Sequence, residues 1–478
     1  MKPVKLAGLE PAALFGYFEK LTTIPHGSGN TRAISDYFLE FSAEHGLDCH
    51  RDEAGNVFIF KKATPGYEDH APVILQAHMD MVCQKKEDCT LDMEKDPLDV
   101  THDGTFVFAR GTSLGGDDGA GIALCLTILA DDTLAHPALE ILFTTDEETG
   151  MIGATKMDLS SFKGRQLINL DGANEKHFIA GCAGGTRVVM EMPLQKAPAQ
   201  GALVNIRLDQ LHGGHSGGLI HLPFANASKV LIELLQQLRQ VAPFRLADFI
   251  GGTAGNAIPK ASEATLVMDP ADISKVQPLC DKCLADLKAN FNEPEAIVEV
   301  AQKGEAEVAY TEDSTDAIMN LLTELPNGML DYFERFKIAM TSLNLGIVKT
   351  DDTLWLQTNV RSNDNDARQT LKAKLKAIAE KYGCQFSLTG DYPAWEYRED
   401  SPLRKAMTKV YVAQFGKEPG LHVTHAGLEC GLIGEKLPGL DCVSMGTNLH
   451  FIHTADEKLE IAPFGRSLEF LKNVLKEL

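Results

Sequence analysis

The stretch VILQAHMDMV, residues 73–82, decides the fold class of this chain. Its first five residues, apolar except for Gln76, predict a buried strand, and the polar residues His78 and Asp80 follow where that strand ends. The same pattern recurs downstream, where further apolar strands and an apolar helix follow one another: Gly121–Leu129, Leu139–Thr145 and Gln166–Leu170. Strands that alternate with helices predict an α/β fold with a largely parallel mixed sheet and helices on both faces.

The pattern changes in the middle of the chain. Beyond the glycine-rich stretch 181–185, the predicted strands are longer, and polar residues occupy alternate positions within them. Amphipathic helices lie between these strands. The α/β pattern returns after Pro393. We therefore predict a catalytic domain in two parts, residues 1–184 and 391–478, with an inserted α+β lid domain at residues 185–390.

Composition limits the functions open to the protein. The chain has 478 residues, 44% of them hydrophobic, and a formal net charge of −22. So acidic a surface repels phosphate backbones, which disfavours nucleic acid as a partner. The sequence also lacks a recognisable signal peptide and any long apolar run, and its ten cysteines are scattered, so we expect a cytoplasmic protein without membrane contact. Cys280 and Cys283 form a lone CxxC, which we interpret as structural.

Acidic residues and histidines cluster at the ends of the predicted strands, where ligands bind in open α/β sheets. Each cluster has a plain alternative: His78 with Asp80 could be a surface pair, Asp118 a helix cap, and residues 146–148 a solvated acidic loop. Three adjacent acids after a buried strand are nevertheless costly unless positive charge neutralises them. Together, two histidines, two aspartates and one glutamate would complete two zinc sites with open positions, and a neighbouring glutamate would provide a general base.

At this point the sequence resembles the zinc peptidase family of carboxypeptidase G, aminoacylase and tripeptidase T, and most closely its aminoacyl-histidine dipeptidase branch. The resemblance covers essentially the whole chain. It rests on motifs that follow one another in order: QAHMDMV at 76–82, GGDDG at 115–119, DEETG at 146–150, GGHSGG at 213–218, NAIP at 256–259, HAGLECG at 425–431 and HTADE at 453–457.

The resemblance implies a role for each residue of the metal site. His78 and Asp171 would hold one Zn²⁺, and Glu148 and His453 the other. Asp117 would bridge the two ions, with a cis peptide bond to Asp118. His453 is preferred over the nearby His450 because the residues that follow it match the family, although the choice between the two stays open.

Further residues would complete the machinery. The resemblance implies that Asp80 orients His78 and that Glu147 is the general base for a water that bridges the metals. His215 would stabilise the oxyanion. Arg361 would bind a substrate carboxylate, or else be an ordinary surface arginine, and Asn256 would also contact substrate. Glu429 would meet the free amine of the substrate or have a purely structural role.

The expected function is that of a cytoplasmic dipeptidase with two Zn²⁺ per chain, for which Co²⁺ or Mn²⁺ could substitute. Its substrates would be small unblocked peptides, Xaa-His dipeptides among them. A deacylase or carboxypeptidase of the same family, and a non-catalytic peptide-binding homologue, are the alternatives. A homodimer is compatible with the sequence but is not required for a complete site, because the inserted domain is long enough to supply its own residues.

Overall fold

Parallel strands form the centre of a mixed sheet in the computed structural model of the chain, which describes residues 5–478. The four central strands pair in parallel, and an antiparallel pairing flanks them on each side. Across the sheet the strands follow one another in this order: Asp48–Arg51, Val57–Lys61, Leu139–Thr144, Val73–His78, Gln166–Gly172, Asp441–Gly446, His177–Cys182 and Gly420–Thr424. The predicted α/β class and mixed sheet are thus confirmed, with the parallel pairing confined to the centre.

Contacts divide the chain into two compact units. Unit 1 comprises the chain up to Gly181 together with Tyr397–Val423 and Glu429–Leu478, and unit 2 comprises Cys182–Glu396 with Thr424–Leu428. The predicted domain limits at residues 184 and 390 lie within a few residues of the main divisions. The short return of 424–428 to unit 2 was not anticipated.

The helices of unit 1 cover its sheet, and a small second sheet lies in the same unit. Helix Gly116–Leu129 is buried at every position from Gly119 onward, as expected for a helix that is apolar on all sides. Gly121 permits its close approach to the sheet, because a Cβ there would lie 2.8 Å from the Leu170 Cβ. The remaining helices are Ala12–Thr22, Arg32–Glu44, Ile152–Lys156, Pro402–Phe415, Cys430–Lys436 and Ile461–Glu477, and the small sheet consists of Leu449–His450, Lys458–Glu460, Phe106–Ala109 and Val100–His102.

Unit 2 is built on an antiparallel sheet. The strands follow in the order Ile297–Glu305, Ala202–Asp209, Ser262–Met268, Phe244–Gly251, Ile338–Thr350, Thr353–Ser362, Gly184–Pro193 and Gln385–Tyr392, and Gly328–Phe333 pairs with Ile338–Thr350. Two short pairs lie outside it: Lys196–Pro198 with Val308–Tyr310, and Gly214–His215 with Ala257–Ile258. This antiparallel sheet with helices is the predicted α+β arrangement.

The helices of unit 2 are amphipathic. Helix Ala227–Arg239 begins at Asn226, whose side chain accepts hydrogen bonds from the backbone N–H groups of Ser228 and Lys229. It buries leucines at helical spacing, Leu231 and Leu235 among them. The other helical segments are Ser216–Leu219, Pro270–Lys275 (a 3₁₀-helix), Val276–Asn290, Glu312–Glu324 and Asn365–Lys381.

The lone CxxC lies on helix Val276–Asn290, where Cys280 belongs to the core of unit 2 and Cys283 packs against it. Burial raises the pKa of the Cys280 thiol to about 12 and that of Cys283 to about 11. Both are free thiols. The structural interpretation of this pair therefore suits its surroundings. None of the helices in residues 5–478 combines the length and hydrophobicity that a membrane span requires.

Candidate metal centre

Three neighbouring parallel strands of unit 1 end at the same edge of the sheet and bring predicted ligands there. His78 is the last residue of Val73–His78, Glu148 lies in the loop after Leu139–Thr144, and Asp171 lies near the end of Gln166–Gly172. Asp117 is in the first turn of helix Gly116–Leu129, and its peptide bond to Asp118 is cis, as the resemblance implies. His453 comes from the loop between Leu449–His450 and Lys458–Glu460.

These side chains converge into two groups that share one carboxylate. In the first group, His78 Nε2 lies 3.0 Å from Asp117 Oδ1 and 3.8 Å from Asp171 Oδ1. In the second, His453 Nε2 lies 3.3 Å from Asp117 Oδ2 and 3.0 Å from Glu148 Oε1. The two oxygens of Asp117 therefore face different imidazoles. This is the arrangement that a carboxylate bridging two cations requires.

The chemistry of the donor set fits a pair of divalent cations. Ligand atoms of His78, Asp117 and Glu148 all lie within 4.8 Å of one another. Imidazole nitrogens and carboxylate oxygens are ligands that zinc accepts together. Within the described part of unit 1, neither lysine nor arginine forms an ion pair with the carboxylates of this cluster, which are largely buried. Positive charge from bound cations would balance them.

The pKa values in the cluster are shifted by its burial and by the close contacts between carboxylates and imidazoles. Hydrogen bonds to Asp117 and Glu148 raise the pKa of His453 to about 10. Burial opposes the charged form of Asp117, but the imidazoles of His453 and His78 outweigh it and hold its pKa well below the usual range. Burial, reinforced by the Asp117 carboxylate, raises the pKa of Asp171 well above its usual value. The site holds more carboxylates than its imidazoles neutralise.

Asp80 lies directly behind the first group and is buried. The ring Nδ1 of His78 lies 2.9 Å from the backbone carbonyl oxygen of Asp80 and 3.6 Å from its carboxylate. The carboxylate itself accepts from the N–H groups of Glu147, at 2.9 Å, and Glu148, at 3.3 Å, and from the Ser28 hydroxyl, at 2.8 Å. Asp80 therefore orients His78 through its main chain at least as much as through its side chain, and it also fixes the acidic loop.

Glu147 is the acidic residue next to the proposed ligand Glu148. Burial raises its pKa to about 7, opposed by His78 and reinforced by the carboxylates of Glu148, Asp117 and Asp80. A carboxylate whose pKa lies near neutrality can both accept and return a proton. Bound cations would act in the opposite direction and favour its charged form.

Two residues of this site adopt left-handed backbone conformations that are uncommon for residues other than glycine. His453 has a φ of +61° and Asp146, which opens the acidic loop, has a φ of +54°. Such conformations cost free energy, and active sites are one of the places where they cluster. The Asp146 carboxylate also accepts a hydrogen bond from the Gly29 N–H at 2.6 Å.

The contacts that the structure gives for His450 are with residues outside this cluster. Its Nε2 lies 2.7 Å from Glu460 Oε1, and its ring meets Phe106 edge to face. The contacts favour His453 as the ligand.

Glu429 is fully buried below the strand ends of unit 1. Its Oε2 accepts hydrogen bonds from the Gln76 amide at 2.7 Å and the Thr144 hydroxyl at 2.6 Å, whereas Oε1 has no partner. Burial raises its pKa to about 8. Because its contacts are to two strands of the sheet, the structural alternative for Glu429 is favoured.

Unit 2 carries the other predicted residues. His215 pairs with Ala257 across a short two-stranded ladder, and the Ser216 N–H donates to the Asn256 carbonyl at 2.8 Å, so His215 and Asn256 lie on adjacent exposed segments. Partial desolvation by the surrounding chain lowers the pKa of the His215 ring, and the positive charge of Arg361 lowers it further. The three residues therefore belong to one region of unit 2.

Arg361 is an unusual arginine because it is only 7% exposed. Its guanidinium donates to the Tyr392 hydroxyl at 3.4 Å, and its Nε has no hydrogen-bond partner. No carboxylate of unit 2, as the structure describes it, forms an ion pair with this side chain. Arg361 is therefore not an ordinary surface residue, and its charge is suited to an incoming anion.

The sequence gave no sign of two contacts that support the site, one made by Ser28 and one by Asp118. Ser28 donates to Asp80, and its position after a Pro-His-Gly sequence gave no signal of this contact. Asp118 accepts from the backbone N–H of Gly121 at 3.1 Å, as a helix cap would, and also from the N–H of His78 at 3.3 Å. The cap was considered as an alternative in the sequence, but the bond to His78 was not.

The fold belongs to the α/β class, and the cluster is a carboxylate–imidazole group whose donors suit metal ions. The model of peptidase family M20/M25/M40 matches residues 74–477, and the chain belongs to that family. It is therefore a hydrolase that acts on peptide bonds.

The similarity to known proteins covers nearly the whole chain. It is 35% identical over 480 residues to the cytosol non-specific dipeptidase of Escherichia coli, covering 99% of each protein. The crystal structure of aminoacylhistidine dipeptidase from Vibrio alginolyticus matches with a TM-score of 0.92 and 34% identity, covering 99% of this chain and 98% of that one. The aminopeptidase PepT of Bacillus cereus shares the fold, with a TM-score of 0.56, 14% identity and coverage of 98% and 99%.

Proposed function

We propose that the chain is a cytoplasmic dipeptidase that uses two Zn²⁺ ions to hydrolyse unblocked dipeptides, Xaa-His dipeptides included. One observation carries the proposal. The two oxygens of Asp117 face separate imidazoles, each of which has a second carboxylate beside it. A single-ion site would not need this duplication.

The relatives support the substrate class. The names of the Escherichia coli and Vibrio alginolyticus proteins describe dipeptidases, and the latter acts on aminoacyl-histidine peptides. Each matches nearly the whole of this chain, the inserted unit included. The name of the first relative also supports a cytoplasmic location.

We assign each proposed ligand to one of the two ions, and the shared carboxylate to both. His78 and Asp171 would hold one Zn²⁺, Glu148 and His453 the other, and Asp117 both. Bound there, the ions would supply Lewis acidity and make water acidic enough to lose a proton near neutral pH. Co²⁺ and Mn²⁺ are expected to substitute.

Glu147 moves the proton in this proposal. Its carboxylate takes a proton from the attacking water and returns it to the nitrogen of the departing amine. The Asp80 carboxylate holds the backbone N–H of Glu147, which limits the positions open to the general base. Asp80 also keeps the His78 ring in place through its carbonyl oxygen.

Unit 2 is proposed to recognise the substrate. The Arg361 guanidinium, buried without a carboxylate partner in unit 2, would bind the free carboxylate of a dipeptide. His215 would stabilise the oxyanion, and its lowered pKa favours the neutral ring, which donates one N–H. Asn256, adjacent to His215, would contact the same substrate. Glu429 stays an alternative partner for the substrate amine, although its contacts favour a structural role.

Small peptides are the proposed partners. The net charge of −22 disfavours nucleic acid, and we propose no membrane partner. A homodimer is compatible with the catalytic proposal, which does not require one.

The experiment compares free with blocked substrates. Purified protein is loaded with Zn²⁺, and its metal content is measured by atomic emission. It is then assayed on an Xaa-His dipeptide, the N-acetylated form of the same dipeptide and a tripeptide. We expect two ions per chain and turnover of the free dipeptide alone. Turnover of the acetylated form alone would indicate a deacylase, release of the C-terminal residue from the tripeptide a carboxypeptidase, and an inert, metal-loaded protein a peptide-binding homologue.

A further inference from the structure

One buried carboxylate holds the turn that leads into Asp117. Glu457 Oε2 accepts from the N–H groups of two successive residues at 2.7 and 3.0 Å, and Oε1 accepts from the next two at 2.8 and 3.2 Å. The four donors are consecutive in the chain: Leu114, Gly115, Gly116 and Asp117. Successive N–H groups that point inward form a concave anion site, which is here filled by a side chain of the protein itself.

The turn has the sequence that this contact requires. Gly115 has a φ of +70°, which favours glycine, and a Cβ on it would lie 2.8 Å from the Met81 sulfur. A Cβ on Gly116 would lie 3.1 Å from Glu457 Oε1 and 2.8 Å from Leu449 Cδ2. Glu457 is only 3% exposed. The turn therefore has no room for a side chain at either glycine while the Glu457 carboxylate is in place.

Glu457 also belongs to the segment that carries His453. Its own N–H donates to the Thr454 carbonyl at 3.3 Å, so a single short turn connects it to the histidine. His453 and Asp117 face each other at 3.3 Å. One side chain therefore couples the two segments whose ends must meet for the second group of ligands to form.

We propose that Glu457 is a positioning residue that fixes the bridging carboxylate of Asp117, and thereby the affinity of the centre for metal. The inference rests on the proposed function for the existence of the two-ion centre, but it concerns metal binding and not the substrate. A carboxylate that accepted these bonds only for stability would not change the ligand field of the ions. Residues that orient metal ligands from behind commonly account for 10- to 100-fold in metal affinity.

The test replaces Glu457 by glutamine in the full-length protein. Glu457→Gln keeps the shape but turns an amide NH₂ group toward backbone donors, so at least one pair of N–H groups loses its acceptor. We expect Zn²⁺ affinity, measured by competition with a chromophoric chelator, to fall about 10- to 100-fold. We also expect the visible absorption bands of the Co²⁺-loaded protein to shift, because they report ligand geometry.

Glu140 provides a matched control. Its two oxygens accept from the backbone N–H groups of Lys163 and Gly164, each at 2.9 Å, and it is 5% exposed. It lies at the opposite end of strand Leu139–Thr144 from the acidic loop. Glu140→Gln removes the same kind of bond in the same unit, and we expect it to leave Zn²⁺ affinity and the Co²⁺ spectrum unchanged.

Each outcome decides the inference. Wild-type affinity and an unchanged spectrum in Glu457→Gln overturn it, as does an equal loss of affinity in Glu140→Gln. If Glu457→Gln does not fold, as judged by circular dichroism, Gly116→Ala is measured instead: weakened Zn²⁺ binding supports the inference, and wild-type binding overturns it. A wild-type chain that binds two ions but hydrolyses no dipeptide refutes the proposed function and leaves this inference intact, whereas a chain that binds no metal refutes both.

Discussion

Buried charge is unbalanced in both units, but with opposite sign. Among the described residues, the carboxylates of Asp117, Glu148 and Asp171 in unit 1 have only imidazoles as ion-pair partners. In unit 2 the buried guanidinium of Arg361 has no carboxylate partner within the unit as described. Desolvation lowers the pKa of two histidines, His215 and His425, and the positive charge of Arg361 lowers both further. Buried charge is costly when it is unpaired. We infer that bound ligands neutralise these charges: cations in unit 1 and the anionic group of a substrate in unit 2.

The two regions also differ in how firmly their side chains are held. Asp80 fixes the acidic loop of unit 1 through several hydrogen bonds. His215 in unit 2 is exposed, and the short ladder that carries it is only two residues long on each side. The acidic loop of the proposed metal centre is therefore preorganised, whereas the short segment that carries His215 has room to adjust.

The largest expected effect is a loss of kcat in unit 1, and it tests whether Glu147 is the general base or a metal ligand. Glu147→Ala should lower kcat by about 100- to 10,000-fold, since a general base typically contributes that much, and should leave two ions bound. Steady-state kinetics and atomic emission measure the two effects. Glu148→Ala is the matched control at the adjacent position and should lose an ion. Loss of an ion in Glu147→Ala would instead make Glu147 a ligand.

The second effect tests the oxyanion role assigned to unit 2. His215→Ala should lower kcat by about 100- to 1000-fold, which is typical for one oxyanion donor, with the metal content unchanged. Full turnover of the best dipeptide by this variant would remove His215 from the catalytic machinery. Because His215 lies outside the unit that holds the proposed ligands, a change in metal content would contradict the division of roles between the units.

These assignments show how far the sequence alone could lead. His78, Glu148 and Asp171 each follow an apolar run, so their positions at strand ends were predictable from periodicity. The motifs then identified the family. The order of strands across the sheet was not predictable, because periodicity reports that a segment is buried but not which segment it pairs with. Glu457 was quoted within a motif without a role, since its four donors lie more than 300 residues earlier in the chain.

The third effect tests the charge of unit 2 directly. Arg361→Ala should raise KM for free dipeptides, with a loss of about 30-fold or more in kcat/KM, the cost of losing one partner of a buried charge pair. A dipeptide C-terminal amide should be a poor substrate for the wild type, and the variant should discriminate little between amide and acid. If the variant retains the wild-type preference for the acid, another group binds the carboxylate.

The fourth effect concerns the buried acid below the metal site. Burial raises the pKa of the Glu429 carboxyl from 4.5 to about 8. The protonated side chain therefore contributes its full stability to the fold below pH 4.5, and this contribution is lost as the pH rises through 8. Glutamine mimics the protonated form. In the metal-free chain, Glu429→Gln should therefore lose less unfolding free energy than the wild type between pH 5 and 8, the difference in slope being at most about 1.4 kcal/mol per pH unit. Urea titrations at several pH values measure it, and parallel profiles would show that Glu429 does not titrate in this range.

The smallest expected effect separates two histidines that are three residues apart. His450 bonds Glu460 at a partly exposed site, with side-chain exposures of 41% and 25%, so His450→Ala should cost less than about 1 kcal/mol of unfolding free energy and leave two ions bound. His453 lies 3.0 Å from Glu148 and 3.3 Å from Asp117, so His453→Ala should release an ion and with it most activity. Atomic emission on both variants, prepared side by side, decides between them. If only the His450 variant lost an ion, the fifth ligand would be His450, in the small sheet of unit 1. The buried carboxylates of Asp117 and Glu148 would then lack the neutralising imidazole that the geometry assigns to them.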